Sequence, residues 1–139
     1  TMRGVTQRVY DAFRRQQGRA TRTVRQIEHD ELQLIYRELY AEKVRFDELP
    51  HGVDAAMLDA AIHSGPAQAT KWLQRAVYVD DDGLIGPKTL MAANTYSPVA
   101  IVARYNGHRL QMLSSLKTWP SFSRGWANRV AKNLIEMKG

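Results

Sequence analysis

Four groups of residues have the types and spacing to do chemistry. Val79-Asp80-Asp81-Asp82-Gly83-Leu84 sets three consecutive carboxylates before a glycine. A calcium loop would need ligands at positions one, three, five, seven, nine and twelve, with glycine at six. Aligning Gly83 to that glycine puts Tyr78 at the first position and Thr89 at the last, where an Asp and a bidentate Glu belong. The template fails, and the stretch reads as a tight turn in which Gly83 takes positive φ and Pro87 pre-sets the next helix. Glu28, His29, Asp30 and Glu31 form a second group. At a helix start, carboxylates complement the helix dipole without any metal or acid–base role. Asp54 and Asp59 are the third group, the only charges in an otherwise apolar helical run. Their separation of five points them in different directions, one toward solvent and one toward a cleft. His63 and Ser64 end that run, either as cleft residues or as a helix-terminating turn.

Other catalytic signatures are missing. The chain has no cysteine, which excludes disulfides, thiolate catalysis, zinc–thiolate sites and iron–sulfur clusters. It has no HExxH, GxSxG or phosphate-binding glycine loop, and His51, His63 and His108 are scattered. The expectation is no metal and no cofactor.

The elements that must position these groups are helical. Val5, Val9, Ala12 and Phe13 predict a first helix that stops at Gly18, and residues 19–25 a polar connection. Leu32, Ile35, Tyr36, Leu39, Tyr40 and Val44 predict a second helix over about 29–44. Val53 to Ile62 is short and Ala-rich, and Pro66 opens a helix with Ala69, Trp72, Leu73, Ala76 and Val77 on one face. Gly86-Pro87 and Ser97-Pro98 open two more, the second carrying Ile101, Val102, Tyr105, Leu110, Met112, Leu113 and Leu116. Trp119-Pro120 stops it, and a last helix over about 121–137 uses Phe122, Trp126, Val130, Leu134 and Met137. Trp72, Trp119 and Trp126 read as core positions, with Trp119 the most exposed of the three. The basic residues Arg124, Arg129, Lys132 and Lys138 read as a solvated face. No strand alternation is convincing, so the fold class is all-α, a single domain of six or seven helices.

The length of 139 residues is one domain's worth, and the net charge of +6 is uneven. Residues 1–27 carry seven Arg against one Asp, and residues 97–139 carry seven Lys or Arg against one Glu. Such ends suit a polyanionic partner; nucleic acid, anionic lipid and bacterial cell wall all qualify on charge. No run is long and apolar enough for a membrane span, and the start has no signal-peptide pattern.

Two long motifs narrow the choice. The run LPHGVDAAMLDAAIHSGPAQATKWLQRAV (Leu49 to Val77), followed by DGLIGPKTL (Asp82 to Leu90), resembles the family-108 glycoside hydrolases. Arg3-Gly4-Val5-Thr6-Gln7, Ile35-Tyr36 with Tyr40, and Phe122 to Val130 extend the resemblance over essentially the whole chain. The family consists of lysozyme-like N-acetylmuramidases of bacteria and phages, some called secretion activators, with a C-terminal peptidoglycan-binding part. The resemblance implies a lysozyme-like fold, with residues 1–60 as the end of the muramidase region and 61–139 as the peptidoglycan-binding region, packed as one unit. It also implies peptidoglycan glycan strands as partner, with a secretion-system or phage component as a further one, no nucleic acid, and action in the periplasm or cell wall.

The implied reaction is hydrolysis of the glycosidic bond after N-acetylmuramic acid by a general-acid Glu with a raised pKa. In the family this Glu lies in an EGG-type motif upstream of the segment matched here by residues 3–7, so it is expected before Thr1. Glu28, Glu31, Glu38 and Glu42 do not match it. The chain alone is therefore expected to bind peptidoglycan with little or no hydrolysis, as a fragment or shortened homologue. The alternative is a non-catalytic binding or adaptor module. By resemblance the glycan cleft takes Thr6, Asp59, His63 and Ser64, with His63 standing where the family more often has Asn.

Overall fold

The computed structural model describes residues 4–136. Arg3, Met137 and Lys138, on which the sequence reading also drew, lie outside the described residues. The chain forms α1 (Gln7–Gln16), α2 (His29–Tyr36), α3 (Val53–Ser64), α4 (Pro66–Ala76), α5 (Pro87–Ala93), α6 (Pro98–Ser115) and α7 (Trp119–Ile135), with no β-strand among the described residues. The fold is all-α.

Local chemistry sets the helix ends. Thr6 caps α1, its hydroxyl accepting from the Val9 amide at 3.2 Å. Glu28 and Glu31 form a capping box at the start of α2, so two otherwise unpaired amides find carboxylate partners. Pro66, Pro87 and Pro98 each begin a helix where the missing N–H costs nothing. Pro120 does the same in α7, which starts at Trp119 and not after the proline as the sequence suggests. Proline in the first turn fits the helix; only an interior one breaks it.

Helix α2 departs further from expectation. After Tyr36 the winding loosens into a π turn over Arg37–Ala41, with Glu42 N–H reaching the Arg37 carbonyl at 2.9 Å. The wider turn sends Leu39 and Tyr40 to different cores. The connection at 19–25 is also not purely polar, since Val24 is buried in a short 3₁₀ turn.

The smaller core gathers Val5, Tyr10, Phe13, Val24, Leu32 and Ile35. The larger one centres on Trp72 and draws on α3, α4 and α6, including Met57, Ala60, Ala61, Leu73, Ile101 and Tyr105. Alanines along α3 allow its backbone to approach α4 closely, and the Tyr105 hydroxyl donates to the Ala69 carbonyl at 3.0 Å. α7 is more loosely engaged, with Val130 as its buried side chain and Phe122 54 % exposed.

The acidic stretch between α4 and α5 is held as a turn from inside. Gln74, buried, donates through Nε2 to Asp82 (2.9 Å), the Leu84 carbonyl (3.1 Å) and Thr89 Oγ1 (3.2 Å), and accepts from the Gly83 amide (2.9 Å). Asp82 also accepts from the Leu84 amide, and Asp81 pairs with Arg75 at 2.8 Å. Gly83 has φ +78°, and an added Cβ would lie 3.3 Å from Lys71 Cε, so both conformation and space favour glycine.

Candidate functional site

Asp59 and His63 are one helical turn apart and share a face of α3. That face meets α6 and α7. Arg109, in the middle of α6, is fully buried and reaches both residues: Nη1 donates to Asp59 Oδ2 at 2.8 Å and Nη2 to His63 Nδ1 at 3.1 Å. From α7, Asn133 donates to the same Asp59 oxygen at 2.9 Å, and Arg129 Nε lies 3.0 Å from Asp59 Oδ1. Three helices are thus tied at one carboxylate.

The arrangement fixes the protonation of both groups. Burial works against the Asp59 charge, but Arg109, Asn133 and Arg129 overcome it and hold the carboxyl below its usual range. Burial, then the charges of Arg129 and Arg109, push His63 below the ordinary histidine value. A guanidinium has only donors, so His63 Nδ1 must accept and the ring proton sits on Nε2. His63 is a neutral ring that can donate one hydrogen bond.

His63 and Arg129 line a hollow of about 530 Å³ together with Gly4, Tyr36 and Ile62. Gly4 is pressed against α3, where a Cβ would meet Ile62 Cγ2 at 3.3 Å. An aromatic ledge adjoins His63: its ring lies 6.1 Å from Trp126, which stacks on Phe122 at 5.4 Å and tilts toward Trp119 at 6.0 Å. Trp119 and Trp126 are half-buried. Neither is a core residue, in contrast to Trp72.

The four residues expected along a cleft therefore fare differently. Asp59 and His63 come together through Arg109. Thr6 is placed as the cap of α1, and Ser64 closes α3, half-buried and with no side-chain hydrogen bond among the described residues. Asp54 points elsewhere, as its distance from Asp59 predicts, and accepts from the Gly52 and Ala55 amides at the start of α3. Arg109 is not among the residues the sequence points to. Its signal is a single charge among Ile101, Tyr105 and Leu113, spaced by four along the apolar stripe of α6.

Glu31 also exceeds its expected role of complementing a helix dipole. Burial would raise its pKa, yet bonds from Tyr10 (2.8 Å), Arg14 (2.9 Å), Arg22 (2.7 Å) and the Glu28 amide bring the carboxyl down to about 2. It is an ionised structural tie between α1 and α2.

Comparison with known proteins agrees with this architecture. Residues 1–65 match the family model described as Glycosyl hydrolase 108, and residues 68–131 match one described as Predicted Peptidoglycan domain. The chain belongs to the glycosyl hydrolase 108 family, with its peptidoglycan domain, and its function is tied to peptidoglycan. It is similar to the solved structure of Brucella abortus SagA, at TM-score 0.83 and 41% identity, covering 95% of this chain and 75% of that one. No curated protein matches it.

Proposed function

We propose that the hollow beside α3 holds a peptidoglycan glycan strand, and that this chain supplies binding and positioning for a muramidase reaction outside the cytoplasmic membrane. The observation that carries the reading is the Arg109 contact to both Asp59 and His63 at the wall of the hollow. It leaves His63 as a neutral donor suited to an N-acetyl carbonyl or sugar hydroxyl. Arg129 adds a cation beside it, matched to the anionic wall polymer. Thr6 and Ser64 belong to the same proposed cleft as hydroxyl-bearing neighbours. In this division residues 1–60 complete the muramidase region and 61–139 the peptidoglycan-binding region.

Hydrolysis needs a carboxylic acid that is still protonated near neutral pH. Asp59 and Glu31 are both held as anions. The described residues lining the hollow include no Glu or Asp. In this reading neither carboxylate serves as the proton donor, and the hollow's described lining binds and positions the strand. The test is sedimentation of the 139-residue chain with purified sacculi, alongside a reducing-sugar assay. Binding is expected with little or no sugar release. His63→Ala should weaken binding by about tenfold, the equivalent of one good hydrogen bond at about 1.4 kcal/mol. Vigorous release of reducing ends by this chain, or unchanged binding by the variant, would overturn the reading.

A further inference from the structure

Helices α1 and α4 end in the same backbone motif with opposite residue choices. After α1, Gly18 N–H reaches the Arg15 carbonyl (3.0 Å) and Arg19 N–H the Arg14 carbonyl (2.9 Å). After α4, Tyr78 N–H reaches the Arg75 carbonyl (3.4 Å) and Val79 N–H the Gln74 carbonyl (3.0 Å). This Schellman arrangement puts its central residue in left-handed backbone, where glycine is favoured. Gly18 obeys, at φ +71°; Tyr78 stands there at φ +62°. A bulky residue with such a φ is a genuine outlier that the surroundings must hold in place.

The Tyr78 ring is not there to fill the core, since the residue is 68% exposed. It lies edge-to-face with Tyr96, also exposed, at 5.7 Å. The Arg104 guanidinium sits over both rings, 5.1 Å from Tyr78 and 5.3 Å from Tyr96, and its Nε donates to the Ala76 carbonyl at 2.7 Å. Arg14, Arg22 and Arg109 each rest on a carboxylate. Arg104 has none among the described residues; the residue is half-buried, with Nη2 buried and without a hydrogen-bond partner among them. The result is an exposed pair of aromatic rings around a half-buried cation that no anion among the described residues neutralises.

We propose that Tyr78, Tyr96 and Arg104 form a second saccharide subsite, which takes an N-acetyl sugar bearing an acidic stem peptide. The C–H face of the sugar stacks on Tyr78, whose ring face is the negative pole of its quadrupole. A stem-peptide carboxylate then faces Arg104 and supplies the missing counter-charge, the lactyl carboxyl being taken up in the amide that carries the peptide. All three residues lie within the matched peptidoglycan domain, and the subsite rests on the reading that the chain binds peptidoglycan.

Tyr78→Gly tests this without sacrificing the fold, because glycine relieves the left-handed backbone while removing the ring. The probes are purified sacculi, a soluble disaccharide–tetrapeptide muropeptide and the uncharged N-acetylglucosamine tetramer, the soluble ligands titrated by NMR. Tyr78→Gly is expected to keep or raise Tm while weakening muropeptide binding about fivefold or more, on the scale of one aromatic contact. Arg104→Gln, which keeps a donor for the Ala76 carbonyl, should erase the preference for the muropeptide over the tetramer. Wild-type muropeptide affinity in Tyr78→Gly, or an equal loss for both ligands in Arg104→Gln, overturns the subsite alone. If the wild-type chain fails to sediment with sacculi, the glycan-binding reading falls with it.

Discussion

Tyr10 and Trp72 are both fully buried aromatic residues, yet what keeps them buried has little in common. Around Trp72 the neighbours are alanines, Met57, Leu73, Ile101 and Tyr105, with the Arg109 guanidinium 6.0 Å above the ring. Around Tyr10 the apolar cluster is small, and its hydroxyl is set in a charged knot, donating to Glu31 and accepting from Arg22. One region is stabilised mainly by area removed from water, the other by a satisfied polar network with modest apolar support. A network of this kind fails abruptly, because losing one member strands the others without partners.

The contrast can be broken at its stronger end first. Trp72→Ala should destabilise the whole molecule by about 3–5 kcal/mol, seen as a lower urea midpoint by every probe at once. Glu31→Ala should cost about 3 kcal/mol, since Arg14, Arg22 and Tyr10 all lose a partner. Its signature is regional: amide exchange should rise in α1 and α2 while α4 and α6 stay protected. Uniform loss of protection would show that the two regions unfold together.

Acid should then separate them further. The Glu31 pKa is lowered in the fold, so its stabilising contribution is complete above the ordinary value of 4.5 and disappears as pH falls through about 2. His63 is a base with a lowered pKa, so the unfolded chain takes up its proton first and stability declines as pH drops below 6.5. Urea titrations at successive pH values should show a loss beginning near the histidine range that His63→Gln removes, and a second near the carboxylate range that Glu31→Ala removes. The smallest expected change is at the end of α1. Gly18→Ala should cost about 1 kcal/mol, from the left-handed backbone alone, because an added Cβ there meets nothing.

Much of this architecture is legible in the residues. Proline positions mark the starts of α4, α5 and α6, and spacing places Trp72, Leu73 and Tyr105 inside. The acidic stretch is readable as a turn because the metal spacing fails at Tyr78 and Thr89. What is not legible depends on distant partners. Gln74 looks like any polar residue on a helix until four hydrogen bonds converge on it from the turn. Asp59 and His63 suggest a shared face, but the residue joining them is far along the chain on α6. Trp119 and Trp126 occupy core-like spacing, yet α7 lies at the edge, where the same spacing yields a half-exposed ledge. Tyr78 stands out in the sequence only as a residue that cannot be a metal ligand, because single-residue backbone handedness leaves no periodic trace.

The π turn over Arg37–Ala41 has a consequence for how the two regions share one helix. Each residue of an α-helix advances by about 100°, so one extra residue in the turn re-aims everything that follows by about that angle. Leu32 and Ile35, before it, serve the smaller core, whereas Tyr40, near its end, and Val44, after it, serve the larger. Deleting a single residue from this turn would restore regular winding and rotate Tyr40 and Val44 off the larger core. The irregularity works as a fixed offset in a shaft, letting one segment engage two gears cut to different phases.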